Sequence, residues 1–210
     1  MKRAPVLLAL IAFSLLALPQ RAPAPLIFRP GEGWTYEPVG GGDGKWRRTR
    51  AKDQLEVAQA AFDRKDYSLA TKAARRVVQE WPLSDYAPQA QYLVGRCYEL
   101  RKQDEQAFKE YQKLLQKYPK VENYEEVLLR QYEICSRYLG GQWFKLWGYI
   151  PLYPSMSKTA DMFGKIVSSG PYSTVAPHAQ LRIGAAHEKA RDYPKAVKAY
   201  ALAVDRYFDR

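Results

Sequence analysis

Two stretches of this chain say nearly the same thing 89 residues apart, and that repetition limits the possible folds more than any single residue does. DYAPQAQYLVGRCYEL begins at Asp85 and TVAPHAQLRIGAAHEK at Thr174; aligned, they superpose Ala87 on Ala176, Pro88 on Pro177, Gln91 on Gln180 and Gly95 on Gly184. An offset of 89, read from Pro88 to Pro177, is too long for one small unit and implies copies in between. A second pair, RKDYSLATKAARRVV from Arg64 and ARDYPKAVKAYALAV from Ala190, places Asp66 on Asp192 and Tyr67 on Tyr193, 126 apart. Pro82 and Pro119 are 37 apart, and 37 is the difference between the two offsets, so the registers agree. From Pro119 to Pro171 the spacing is 52, fifteen too many, and GGQWFKLWGYIPLYP at residues 140–154 is a fifteen-residue stretch without a helical period. Four helical hairpins are expected near 51–85, 86–121, 122–172 and 173–208, the third split by the insertion 140–154.

From Ala51 onward, apolar residues recur at three-and-four spacing between turns marked by Asp-Tyr or Pro, the pattern of paired amphipathic helices. One hairpin alone cannot cover its apolar face, so the chain is all-α and the hairpins stack into a solenoid. Ala58, Gly95 and Gly184 fall at one place in three of the first helices, where a small residue lets two backbones approach. A glycine inside a helix costs about 1 kcal/mol relative to alanine, so close packing must offset it. In the second helices Ala70, Ala107 and Ala196 are small, and Tyr111, Phe163 and Tyr200 recur as larger plugs.

These small, aromatic and terminal proline positions resemble tetratricopeptide repeats over nearly all of residues 51–210, which implies a right-handed solenoid. More narrowly, WPLSDYAPQAQYLVGRCYEL and GPYSTVAPHAQLRIGAAHEK are similar to the phrase that joins repeats in the BamD family of outer-membrane assembly lipoproteins, wording shared with the TolA-binding cell-division coordinators. The BamD resemblance implies a periplasmic scaffold at the outer membrane that helps a partner barrel-assembly protein, and unfolded barrel clients, in β-barrel insertion. The alternatives are an envelope or division coordinator and an accessory activator of a cell-wall enzyme. This chain departs from the BamD family in three ways: no Cys follows the signal, four repeats stand where five are usual, and residues 140–154 have no counterpart.

The start suits export. Lys2 and Arg3 precede a largely apolar stretch from Val6 to Leu18, short for a bilayer span of about 20 residues but suited to a secretion-signal core, so residues 1–24 are expected to be a signal. Because Pro25 follows the Ala22-Pro23-Ala24 site, an uncleaved amphipathic anchor is the alternative. Residues 25–50, rich in Pro and Gly, are expected as an extended arm. The first fifty residues hold eight Lys/Arg against three Asp/Glu, so the body carries only about half of the net charge of +11. With basic and acidic residues interleaved there, contact with an anionic membrane surface is favoured over nucleic acid, which is not expected as a partner. Cys97 and Cys135 read either as two buried hydrophobes or as a bridge between neighbouring helices.

Reactive chemistry is not expected: no catalytic residues, cofactor, metal or small-molecule substrate. The Gly-rich GGGDGKW lacks the phosphate-loop spacing, and His178 and His187, nine apart, fall on roughly opposite sides of one helix. The acid pairs Asp104-Glu105 and Glu125-Glu126 read as solvated residues complementing helix beginnings. Recognition remains, on the concave wall built from first helices. The repeat pattern nominates Leu55, Gln59 and Phe62 in the first copy and Gln89, Tyr92, Arg96 and Glu99 in the second. Leu129 and Glu133 follow in the third, and His178, Leu181 and Glu188 in the fourth. Arg96 would meet a carboxylate or backbone oxygen of an extended peptide. The insertion's Trp143, Phe144, Trp147, Tyr149 and Tyr153 form either a plug over the core or an exposed docking patch.

Overall fold

The computed structural model describes residues 26–31, 33–36, 46–146 and 150–208. The expected signal at 1–24 lies outside them, as do residues 25, 32 and 37–45 of the expected arm. Helices pair in sequence order: α1 (Ala51–Asp63) with α2 (Tyr67–Glu80), and α3 (Tyr86–Leu100) with α4 (Asp104–Lys117). Next come α5 (Tyr124–Leu139) with α6 (Met156–Ser169), and α7 (Ala176–Lys189) with α8 (Tyr193–Ala203). A single π turn, Val204–Phe208, follows α8. The fold is an all-helical solenoid, and the two short sheets among the described residues are hairpins outside its helical layers. They are β1 (Leu26–Arg29) with β2 (Gly33–Tyr36), and β3 (Phe144–Leu146) with β4 (Ile150–Tyr153).

Local chemistry sets the helix ends. Asp66, Ser155 and Asp192 cap α2, α6 and α8 by accepting the N–H three residues on, which satisfies donors that no helical carbonyl can reach. Lys65, Lys102 and Arg191 take left-handed φ values of 63°, 60° and 59° in the turns of the first, second and fourth hairpins, so the chain reverses at the same place each time. A buried glutamine then ties each of these hairpins together. The Nε2 groups of Gln54, Gln91 and Gln180 donate to the carbonyls of Ala73, Glu110 and Ala199, at 3.4, 3.1 and 3.1 Å. In every case the partner lies 19 residues on, on the second helix.

The glycine notches differ from the expectation in one respect. What enters them is an aromatic ring, not a neighbouring backbone. A Cβ placed on Gly95 would collide with the Tyr111 ring, and one on Gly184 with the Tyr200 ring. The rings expected as plugs and the small residues expected as contact points are thus two halves of one joint. Tyr111 is fully buried in the larger apolar cluster, which runs from α4 to α7 and includes Leu114, Leu128, Ile134 and Phe163. A smaller, alanine-rich cluster joins α1, α2 and α3. Cys97 and Cys135 are both buried and unbridged, the first of the two readings.

The joint makes a paired prediction. Gly95→Ala forces a rigid ring aside and should destabilise the protein by about 1–3 kcal/mol. Gly164→Ala, where nothing lies within 4 Å of an added Cβ, should stabilise by up to about 1 kcal/mol. Urea unfolding midpoints that move in opposite directions would bear this out, and a Gly95→Ala protein as stable as the parent would refute the joint.

Candidate functional site

Six of the nominated side chains line one groove. Leu55, Gln59 and Phe62 from α1 face Gln89, Tyr92 and Arg96 from α3 across a cavity of about 770 Å³. The size is that of pockets that enclose several ligand groups. Asp85, Pro88 and Leu93 extend the α3 wall, and Lys120, Val121, Glu122 and Asn123 from the loop before α5 close one end. The lining is mixed, with apolar ground from Leu55, Phe62, Pro88, Leu93 and Val121 and amides from Gln59, Gln89 and Asn123. The turn of the β1–β2 hairpin reaches the groove's edge, where the Asp85 N–H donates to the Gly31 carbonyl at 2.8 Å.

One wall of the groove is tied to the next hairpin. Tyr92 donates its hydroxyl proton to Glu126, while Arg130 Nε donates to the Tyr92 oxygen at 2.9 Å and Arg96 Nη1 to the same oxygen at 3.3 Å. Arg130 also grips Glu126 through Nε and Nη2, at 3.0 and 2.9 Å. Beneath them Tyr111 donates to Glu99 at 2.8 Å, and Arg130, Arg137 and Arg96 stand 3.6, 3.9 and 3.9 Å from that carboxylate. Arg137 forks onto Asp104 at 2.9 and 3.0 Å, and Gln142 joins at 2.8 Å. Asp104 is therefore buried and triply held, in place of the solvated residue expected there, whereas Glu126 is bonded on two sides yet exposed, as expected of a helix-start acid.

The titrations follow from this geometry. Burial raises the Tyr92 phenol, and the bond to Glu126 adds to it. Burial pushes Tyr111 far above the ordinary tyrosine value, with the Glu99 charge reinforcing the effect. Burial acts to raise Glu126 too, but hydrogen bonds from Tyr92 and Arg130 outweigh it and hold the carboxyl below the usual glutamate range. Arg96 Nε is buried without a hydrogen bond, and Nη2 makes none among the described residues. Nη2 thus remains as a donor for a further acceptor at the groove wall, whereas Nε is buried 3.9 Å from Glu99.

The other nominated residues lie elsewhere. Glu99 sits behind Arg96 in the charge network; Leu129 and Glu133 are exposed on α5 and do not line the groove. His178, Leu181 and Glu188 lie on α7, away from it, and Glu188 accepts from Tyr200 at 2.9 Å. Within the insertion, Trp147 and Tyr149 lie outside the described residues, and Tyr153 is in β4 opposite Phe144. Phe144 is a plug: buried, stacked on Tyr138 with ring centroids 4.1 Å apart, and covered by the Lys158 ammonium at 4.1 Å. Trp143 is half exposed, so the insertion divides between the two readings. Sequence reasoning missed the loop residues Lys120–Asn123, which carry no periodic signal. It also missed Glu126 and Arg130, whose i,i+4 spacing was a signal available for reading.

The tetratricopeptide repeat family model matches residues 89–120 and 178–207, the second and fourth hairpins, so the chain carries tetratricopeptide repeats there. No curated protein matches the sequence. Among solved structures, MamA from Desulfovibrio magneticus RS-1 (residues 41 to the end) aligns at 15% identity and TM-score 0.42, covering 76% of this chain and 77% of that one. A kinesin-light-chain-like protein of Podosopora anserina with nearly identical TPR-like repeats aligns at 13% identity and TM-score 0.41, covering 77% and 76%.

Two predictions belong to these side chains. A carboxyl whose folded pKa is depressed stabilises above its unfolded value and loses that contribution as pH falls through the folded one. Glu126→Gln should therefore be less stable than the parent at neutral pH, with the gap closing below the ordinary glutamate value of 4.5. Thermal unfolding across pH 3–7 reads this, and a gap constant with pH would contradict it. In the insertion, Phe144→Ala should cost about 3 kcal/mol and Trp143→Ala under about 0.5 kcal/mol in urea unfolding.

Proposed function

We propose that this protein is a binding scaffold whose concave groove between α1 and α3 holds an extended segment of a partner protein. The supporting observation is the convergence of six first-helix side chains on one cavity, with apolar ground, three amides and an arginine whose Nη2 makes no hydrogen bond among the described residues. An extended strand offers side chains to the apolar ground and backbone oxygens to the amides and Arg96. Tetratricopeptide repeats, matched in two hairpins, mediate binding between proteins.

The particular role follows from the wording of the inter-repeat phrases and the apolar start of the chain. The protein is a periplasmic scaffold of the BamD type, associated with the outer membrane. It works beside a barrel-assembly protein and engages unfolded β-barrel segments. Crosslinking in native envelopes tests that role: recovery of a barrel-assembly protein supports it, whereas Tol or cell-wall components would replace it with a coordinator or enzyme-accessory role.

The groove is tested separately. In anisotropy titrations with fluorescent peptides from β-barrel strands, Arg96→Ala should weaken binding about tenfold, the worth of a hydrogen bond to a charged group. Tyr92→Phe, which keeps the ring but removes the bond to Glu126, should weaken it less than Tyr92→Ala. Unchanged affinity in Arg96→Ala and Tyr92→Ala would remove the groove from the account.

A further inference from the structure

We infer that the face formed by α7 and α8 docks a cationic amphipathic helix of a partner protein. The internal repeat supplies the template. Glu188 and Tyr200 repeat Glu99 and Tyr111 at the 89-residue offset, down to the hydroxyl-to-carboxylate bond of 2.9 against 2.8 Å. Around Glu99 the next hairpin adds Arg130 and Arg137, seven residues apart on α5. Glu188 has no ion-pair partner among the described residues. The apolar positions agree: Phe108 and Leu115 on α4 are 3% and 4% exposed, while their counterparts Val197 on α8 and Val204 beyond it are 68% and 46% exposed. The face thus suits a helix that brings an apolar seam to Val197 and Val204 and two cations to Glu188.

The repeat register also says what does not fit. The places of Arg130 and Arg137 are held in α1 by Glu56 and Asp63, 74 residues earlier. A second copy stacking its α1 on this face would set acids against Glu188, and like charges in contact are repelled. By contrast α7, which covers the third hairpin, has Arg182 and Lys189 at those places; they donate to the Tyr132 hydroxyl at 3.3 Å and the Leu139 carbonyl at 2.8 Å. Both helices that cover a preceding hairpin with charged groups at these places do so with cations. This inference does not rest on the concave groove.

The test uses a labelled, end-blocked peptide with the sequence of residues 124–139, Cys135→Ser, titrated with the full chain by anisotropy. Saturable binding is expected, weakened about tenfold or more when the peptide carries Arg130→Glu and Arg137→Glu, and restored to that acidic peptide by Glu188→Lys in the chain. Val197→Asp in the chain should abolish binding, whereas Arg96→Ala should leave it unchanged, which separates this face from the groove. The charge swap keeps the test decisive even where Val197→Asp disturbs folding. Absence of saturable binding, or equal affinity for both peptides, overturns the proposal. So does a dimer in sedimentation equilibrium that Val197→Asp dissociates, because the occupant is then a second copy.

Discussion

A tyrosine ring lying in a glycine notch is the contact on which the rest of this solenoid depends. Tyr111 occupies the space where a residue other than glycine at 95 would carry its Cβ, so the α3 backbone rests directly against a ring of α4. The ring is rigid, and its position fixes where its hydroxyl ends up. That place is against Glu99, on the side of α3 that meets the next hairpin. Packing inside one hairpin thereby sets the charge that Arg130 and Arg137 find when α5 stacks on it. Arg130 in turn holds Tyr92, which forms the groove wall. Core, hairpin interface and candidate site are consecutive links of one chain of contacts.

Where the joint changes, its neighbours change in a compensating way. The first hairpin has Ala58 and Ala74 at the two places, and alanines fill most of its small core. The third hairpin has Tyr132 and Phe163, two rings where the second and fourth have one, and they meet edge to face with centroids 5.7 Å apart. That hairpin also carries the insertion between its helices. Phe144 anchors the insertion by stacking on Tyr138 near the end of α5, so the extra residues attach at the helix end and leave the stacked faces free. Lys189 of α7 caps the same end through the Leu139 carbonyl.

The repeat was legible because its cause is periodic. Each hairpin must solve the same packing problem, so Ala, Gly, Gln and Tyr return at fixed offsets, and six of the twelve residues nominated from the repeat pattern meet in one groove. The residues that escaped are those with no periodic reason to exist. Lys120, Val121 and Asn123 line the groove because the loop before α5 turns there, a consequence of packing and not of pattern. Asp104 was read as a solvated helix-start acid because its partner Arg137 is 33 residues away. The β3–β4 hairpin was missed because aromatic richness masked its short alternation, with Phe144 and Leu146 before the turn and Ile150 and Leu152 after it. The glycines were placed correctly but for a different cause, since spacing reports that a position is small and not what fills the gap.

The charged positions also explain why the hairpins stack in this order and no other. The place held by Glu99 is Phe62 in the first hairpin and Ser136 in the third, while its facing places run Leu93 and Leu100, then Arg130 and Arg137, then Arg182 and Lys189. Phe62 meets Leu93 in the small core, and Glu99 meets arginines. Exchanging α3 for α5 as the cover would bring arginine onto Phe62 and leave Glu99 facing leucine, with only Arg96 and the Tyr111 hydroxyl of its own hairpin to offset its charge at a packed interface. The left-handed turns and glutamine ties, which recur in three of the four hairpins, cannot distinguish these arrangements. The alternation of apolar and charged contacts along the stack does, so the interactions that build the groove wall also select the order of hairpins on which the groove depends.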